Sequence, residues 1–427
     1  MGKLYNEKSI ESLDPLQFTR LRPGVYAGDC TYSTQLLVEI FSNAVDEFNA
    51  GHGEEINVGI DGDIVEVQDL GQGFICNSFR EDGKTILEAA FSVLNTSGKY
   101  REDGSYEGTS LGSFGIGSKI TTFLSNWLVV KTVRDGLCEC ITFKEGVFEK
   151  REVSECPKEL HGTIVKWKPS AEFFNNTIVE IEKIKTLFKT ISCLCPGLKI
   201  NLRNGTDYYH YYSTNGLNDL VDETVKNKEL IKNRLIINSS GGAENKYKFN
   251  LVMTYTENYS SSIVAYVNTG LTDTGAHITQ LKTALTREMN KFFREKKWLK
   301  DKDDNLSGED IQEGMYIVFN YTAPSVAYDA QVKSRITSID TKFEISSFVE
   351  NLQTWLSVNE KEIKMIADKA INARKAREAA KKAREAARNI KPKEKGLKAK
   401  MSLSNKFIDC ANKNPKERNL LLVEGTK

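Results

Sequence analysis

Residues 34–73 place a helix ahead of a hairpin, and this order limits the folds open to the chain. In 34–50 the apolar positions Leu36, Leu37, Ile40, Phe41, Ala44, Val45 and Phe48 recur every three or four residues, the pattern of a helix that buries one stripe. Thr31 or Ser33 is placed to cap its start. Apolar and polar residues then alternate in 55–60 and 63–69 around Gly62, which predicts an antiparallel hairpin. The hairpin ends in Asp69, Leu70, Gly71, Gln72 and Gly73. An Asp at a strand end holds its carboxylate rigidly, and Gly-x-Gly after it lets a ligand come close to the backbone.

Polar residues line the other face of the helix. Glu39, Asn43 and Asp46 are spaced by four and three, one turn apart on one side, with Glu47 beside them. Taken alone, this stripe is equally the wet side of an amphipathic helix, and Asp-x-Gly-x-Gly is a common turn. A second helix is predicted over 85–94, leading into a polar, glycine-bearing stretch at 95–118. This stretch holds Gly98 and Lys99, then Gly112, Gly115 and Gly117 just before the apolar run 120–124. Successive glycines ahead of a helix allow backbone N–H groups to converge on phosphate oxygens. The spacing is not that of a P-loop, and alone it also suits a surface loop. His161, Gly162 and Thr163 form a small turn that opens a further strand.

Strands are predicted at 127–133, 139–143, 147–153 and 162–167. From about Leu220 the texture changes, with strands at 248–256, 262–268 and 314–320 and helices at 280–296 and 346–358. Residues 360–389 contain almost no helix breaker and are rich in Ala, Lys, Arg and Glu, predicting a helix of ~45 Å. A chain of 427 residues exceeds one hydrophobic core, so two or three domains are expected.

The net charge of +1 conceals an asymmetry. Residues 361–400 hold 15 Lys and Arg against 5 Asp and Glu, and 401–427 hold 5 against 3. Taking these surpluses of +10 and +2 from the total leaves −11 on residues 1–360. An acidic body with a basic arm points to an anionic partner at one end, although a solvated, salt-bridged helix has a similar composition. The polar N-terminus lacks a secretory apolar core and no run approaches ~18 apolar residues, so a cytoplasmic address without a membrane is expected. Cysteines at 30, 76, 138, 140, 156, 193, 195 and 410 are scattered and read as free thiols, and no metal is assigned to them or to the four dispersed histidines.

In this order and spacing, Glu39 with Asn43, 69–73, Gly98 with Lys99, 112–117 and 161–163 resemble the motifs of the Bergerat-fold (GHKL) ATPases. That superfamily takes in type II topoisomerases, the Hsp90 chaperone, mismatch-repair ATPases and histidine kinases. Leu-Arg-Pro-Gly-Val-Tyr-Ala-Gly at 21–28 narrows the resemblance to the ATPase subunits of bacterial type IIA topoisomerases, DNA gyrase B and its topoisomerase IV counterpart. Asn-Ala-Val-Asp-Glu at 43–47, Ala-Gly-His at 50–52 and Thr-Ala-Leu-Thr-Arg-Glu-Met-Asn at 283–290 agree with it. So do the basic helix at 373–385 and Leu-Leu-Val-Glu-Gly at 421–425.

The resemblance implies an α+β chain: a Bergerat α/β sandwich at 1–219 with an N-terminal dimerisation arm, and a ribosomal-S5-like transducer domain at 220–390 ending in the long basic helix. A linker and the first strand of a Toprim domain would occupy 391–427. It implies that Glu39 polarises the water attacking the γ-phosphate and that Asn43 ligates Mg²⁺. Asp69 would accept from the adenine amine, and the Thr163 hydroxyl would support it. Guanine presents a carbonyl at that position, a mismatch for a buried acceptor.

Asp46, Gly71, Gly73, Gly98 and Lys99 would belong to the nucleotide site, with Gly112, Gly115 and Gly117 as the lid over the phosphates. Gln331 and Lys333 match the γ-phosphate sensor, although Val332 stands where the family has Thr. Tyr5 matches the arm that crosses to the partner subunit's nucleotide. Gln72 stands where an arginine commonly pairs with the carboxylate matched by Glu47, so that salt bridge is missing. Glu424 matches a Toprim metal ligand, while the acidic pair completing that site lies past Lys427.

The function so implied is an ATP-operated clamp. It binds Mg-ATP, closes as a homodimer and couples hydrolysis to transport of duplex DNA, with cleavage by a separate A-type subunit that carries the nucleophilic tyrosine. The alternatives are another ATPase of the superfamily, of chaperone or mismatch-repair type, and a nucleotide-binding dimerisation module without turnover.

Overall fold

The computed structural model describes residues 14–94, 96, 115–226, 228–242, 246–300, 302–328, 335–388, 414 and 416. Two compact units divide the chain, Met1–Ile371 and Asn372–Lys427. Within the first unit an eight-stranded sheet is followed by a five-stranded one.

The first sheet is built from β1 (Glu55–Asp61), β2 (Ile64–Asp69), β3 (Ser125–Arg134), β4 (Leu137–Lys144), β5 (Val147–Glu155), β6 (Gly162–Pro169), β7 (Lys199–Asn204) and β8 (Asp207–Tyr211). Their order is β5-β4-β3-β6-β2-β1-β7-β8. All neighbours are antiparallel except β1 and β7. The predicted hairpin is present, pairing Val58 with Val67 and Ile60 with Val65, so these apolar residues share the buried face. Six helices accompany this sheet: α1 (Pro15–Leu21), α2 (Pro23–Ala27), α3 (Thr34–Asn49), α4 (Ile86–Ser92), α5 (Gly117–Phe123) and α6 (Ile181–Leu194).

All the predicted apolar positions of α3 except Phe48 are buried, and they join Phe188 and Ile191 of α6 and Val165 and Trp167 of β6 in one core. Ser33 occupies the N-cap of α3 but makes no capping bond. Its hydroxyl donates instead to the Thr177 carbonyl at 2.7 Å, tying the helix start to the chain ahead of α6. Thr31 does not cap the helix either; its hydroxyl and N–H both donate to Asp29.

The second sheet comprises β9 (Leu235–Gly241), β10 (Tyr247–Tyr255), β11 (Ser262–Val267), β12 (Gly270–Thr272) and β13 (Met315–Thr322), in the order β12-β11-β13-β10-β9. Val252, Tyr266 and Val318 join the first core together with Leu217, Val221 and Val225 of α7 (Leu217–Val225). The other face packs on α8 (Ala276–Glu295) and α10 (Lys342–Val358), around Phe249, Phe319, Leu285 and Phe348. A short helix, α9 (Gly308–Gln312), carries a capping box, with Ser307 and Asp310 bonding each other's backbone N–H. A ribbon of β14 (Val326–Tyr328) and β15 (Ile336–Ile339) precedes α10. The long predicted helix is α11 (Glu360–Arg388); its first turns bury Ile363, Ile366 and Ala367 in the second core. No helix among the described residues is long and apolar enough to cross a membrane.

Candidate active site

Asp69 is the last residue of β2, and its partner across the ladder is Thr163 on β6. Two backbone amides meet at its Oδ1: Gly71 donates at 2.9 Å and Thr163 at 3.3 Å. Both bonds fall on one oxygen, and among the described residues no other residue donates to Oδ2. Burial pushes this carboxyl up to about 6, and the charge of Glu47 pushes the same way, against the pull of the backbone N–H groups of Gly71, Thr163 and Asp69 itself. Thr163 thus meets Asp69 through its backbone N–H.

Glu47, on the last turn of α3, faces the same turn. Its carboxylate accepts the N–H of Gln72 at 3.3 Å, a bond that stands where the arginine side chain is lacking. Gly71 fits because it has no side chain: a Cβ there would lie 2.8 Å from Asp69 Oδ1 and 2.9 Å from Glu47 Oε2. Nδ1 of His161 lies 2.6 Å from the Gly71 carbonyl, so the tautomer protonated at Nδ1 satisfies that acceptor. The Gly73 carbonyl accepts from Arg134 Nη1 at 3.2 Å.

Thr132, fully buried in β3, closes this end. Its hydroxyl accepts from Phe74 N at 2.8 Å and donates to the Gly162 carbonyl at 3.2 Å. Just beyond, Glu139 is fully buried and pairs with Arg151 at 2.9 Å. Its other oxygen accepts Asn77 N at 2.6 Å, while Arg151 also donates to Asn77 Oδ1 at 2.7 Å. This clamp fixes the chain after Gly73 against β4 and β5. The sequence reading missed Thr132, Arg134 and the clamp, although one acid inside the apolar alternation of β4 was a visible signal.

At the other end of the site, Glu39 sits two turns earlier on α3. Its Oε1 accepts from Gln35 at 2.8 Å, and its Oε2 lies so close to Gly117 that a Cβ on that glycine would collide with it. The start of α5 therefore rests on the Glu39 carboxylate, with Gly115 just ahead of it. Asn43 is exposed on the same face, and its amide makes no hydrogen bond among the described residues. Asp46 is buried, near enough to Cys195 to add to the burial that pushes that thiol up to about 12. Along α3, Glu39 and Glu47 are eight residues apart, or ~12 Å.

The structure thus gathers Glu39, Asn43, Asp69, Gly71, Gly73, Gly115, Gly117 and Thr163 along α3 and the ends of β2 and β6. Tyr5, Gly98, Lys99, Gly112, Gln331, Lys333 and Glu424 lie outside the described residues. Elsewhere in the first unit, a groove along α8 is lined by Lys282, Arg287, Lys291 and Arg294, together with Asn305 and Gln312.

A family model for DNA gyrase B matches residues 216–386. The B subunit of DNA topoisomerase 4 from Bacillus subtilis is 33% identical over 434 residues, covering 99% of this chain and 64% of that protein. The B subunit of DNA gyrase from Thermotoga maritima is 32% identical over 442 residues, covering 99% of this chain and 67% of that protein. The chain therefore spans about two thirds of the length of these relatives. Among solved structures, the 43K ATPase domain of Thermus thermophilus gyrase B, in complex with an aminocoumarin, aligns with a TM-score of 0.69 at 27% identity, covering 87% of this chain and 98% of that one. The topoisomerase IV ATP-binding domain of Francisella tularensis shares the fold at a TM-score of 0.71 and 23% identity, covering 85% of this chain and 97% of that one.

Proposed function

The chain belongs to the family of DNA gyrase and topoisomerase IV B subunits, and we propose that it binds and hydrolyses ATP along the face of α3. The observation that carries this reading is the half-used carboxylate of Asp69, held by two amides at one end of a ~12 Å stripe that ends at Glu39. Asp69 accepts the adenine amine through the oxygen its amides leave open. Glu39, fixed by Gln35 and braced by Gly117, accepts a proton from the attacking water. Gln331 and Lys333 supply the γ-phosphate contact, and Tyr5 the contact to the partner subunit's nucleotide.

The residues present suit a magnesium ion. Mg²⁺ is commonly held by one or two protein oxygens plus substrate phosphates, and Asn43 is an exposed amide with its oxygen uncommitted among the described residues. When bound, the ion neutralises charge on the phosphates.

Residues 1–219 form the ATPase domain, 220–390 the transducer, and 391–427 the linker and Toprim start. Nucleotide binding closes a homodimer around duplex DNA, and the DNA is cut by an A-type partner subunit. The basic groove of α8 and the basic arm after residue 360 supply charge of the right sign for DNA phosphates. The test is the ATPase rate with and without duplex DNA, beside Glu39→Ala. The expected variant still binds ATP but turns over at least about a hundredfold more slowly. Unchanged turnover removes Glu39 from the base role.

A further inference from the structure

The face of the second sheet that packs on α7 changes character from one row to the next. Ile236, Val252 and Val318 stand opposite one another across β9, β10 and β13, and Val252 and Val318 are buried in the first core. The next row on that face is Asn238, Asn250 and Asn320, again directly opposite one another. Directly opposed residues share a face and neighbouring strands lie ~4.8 Å apart, so three carboxamides stand side by side.

At this row the packing opens into a cleft of about 180 Å³, whose far wall is the end of α6 and the chain at 214–218. That wall is preformed. The Ser213 hydroxyl accepts the Gly216 N–H at 2.9 Å and donates to Asp219 at 2.7 Å. Asn215 and Asn218 spend their NH₂ groups on Asp219 and on the Asn215 carbonyl. The side chains of Asn238 and Asn250, by contrast, have no hydrogen-bond partner among the described residues. Asn320 is only 4% exposed; its Oδ1 accepts the Thr269 N–H at 3.3 Å, and its Nδ2 group is uncommitted among those residues.

The lining selects the kind of ligand. Charged residues make up 27% of the chain, yet none lines the cleft. A phosphate or carboxylate there would find no cation and an ammonium no acid, and burying an unpaired ion is costly. Leu194, Leu217 and Val252 give the cleft an apolar side, and the exposed Ile236 and Asn238 mark its mouth. A sugar would press hydroxyls against that apolar side, whereas a planar heterocycle lays its faces there and keeps its polar atoms at the edge. A carboxamide matches such an edge twice over, donating from nitrogen and accepting at oxygen. Drug-sized sites run to ~300–1,000 Å³, so the occupant is smaller than these.

We propose that this cleft is a further ligand site, for an uncharged heterocycle of the size of a one-ring nucleobase. The ring's amide-type edge bonds to the carboxamide of Asn250 and to the Nδ2 group of Asn320, and its faces lie on the apolar side. A ring bound here ties the turn at 214–218 to β10 and β13. No residue of α3, β2 or β6 lines the cleft, so the site stands apart from the nucleotide site proposed above.

Uracil is the probe, because its ring sets N–H groups beside carbonyls and carries no charge at neutral pH. At millimolar concentration it should raise the parent's melting temperature, as a ligand of the folded state does, while ribose and inorganic phosphate should not. Uracil methylated at both ring nitrogens keeps the faces but has no N–H, and the parent should bind it about tenfold or more weakly. Asn250→Leu keeps the volume without donor or acceptor; it should bind uracil about tenfold or more weakly and ATP as the parent does.

Asp69→Asn separates the two sites, since uracil binding should persist in that variant at the parent's strength. Its loss there would assign uracil to the site at Asp69 and overturn the proposal. So would a parent that does not bind uracil at millimolar concentration, or one that binds ribose or phosphate equally well. Equal affinity for uracil and its dimethyl form would show that no amide edge is read. Uracil binding undiminished in Asn250→Leu would place the ligand elsewhere on the molecule. Either result removes the assignment, and the dimethyl comparison does so on the parent protein, where folding of a variant is not at issue.

Discussion

Asp69 and Glu344 are both carboxyls that burial holds above the ordinary range, but they stand in different surroundings. Asp69, at the end of the first sheet, is served by two backbone amides and reaches about 6. Glu344, on the first turn of α10 beside the second sheet, is fully covered. Neither of its oxygens has a hydrogen-bond partner among the described residues, and it is pushed up to about 8. Burial is the first cause in both, so the amides account for much of the contrast. The strand-end carboxyl is stabilised part of the way and left one oxygen short, which suits a ligand that brings a donor. The core carboxyl has no such opening and folds as the neutral acid at neutral pH.

Three stability measurements bear on this contrast. The largest effect is expected from another buried acid, Glu139, whose partners are satisfied. Glu139→Ala should lower stability by about 3–5 kcal/mol in a denaturant titration, because Arg151 and the Asn77 N–H lose their acceptor. A loss below ~1 kcal/mol would mean that the clamp does not hold the turn after Gly73.

Glu344→Leu should act in the opposite direction, and with a pH signature. The folded pKa exceeds the unfolded one, so the folded chain binds more protons between about pH 4.5 and 8. The parent therefore loses stability as pH rises through that window. The variant's melting temperature should gain on the parent's from pH 5 to pH 8, by an amount on the order of a few kcal/mol in stability. A constant difference across that range would contradict a neutral buried acid.

The smallest effect is expected at Asp69. Its window is narrower, about pH 4 to 6, so Asp69→Asn should change the pH dependence of stability only there, by on the order of 3 kcal/mol in total.

The polar face of α3 was legible because spacing translates directly into geometry. Residues four and three apart on a helix must share a side, and an Asp closing an alternating strand must sit at the sheet's end. That is enough to bring Glu39, Asn43 and Asp69 near the same helix. Gly71 and Gly117 were flagged as phosphate- or ligand-approach positions, and the structure adds a second reason, since each presses on a carboxylate of α3.

What the sequence hid is long-range. Thr132 looks like any Thr in a strand, and its role arises only because β3 lies beside β6 and carries its hydroxyl to Gly162. Local rules offer Thr31 or Ser33 as the cap of α3, whereas a carbonyl 144 residues away takes the Ser33 hydroxyl. The helix α6 has a clear apolar stripe in Ile184, Phe188 and Ile191, a pattern local enough to be read from the sequence. Lys119 reads as a surface lysine after a glycine loop until the packing around α5 shows that it is enclosed.

An adenine nucleotide site built on Asp69 is the core of the proposed function, and calorimetric titration of the parent and Asp69→Asn with ATP and with GTP puts it at risk in a single experiment. The parent should bind ATP, discriminate against GTP, and lose about a hundredfold in ATP affinity on substitution, because a charged acceptor for the base amine is gone. Equal affinity for the two nucleotides, or an Asp69→Asn protein that binds ATP as the parent does, would contradict it.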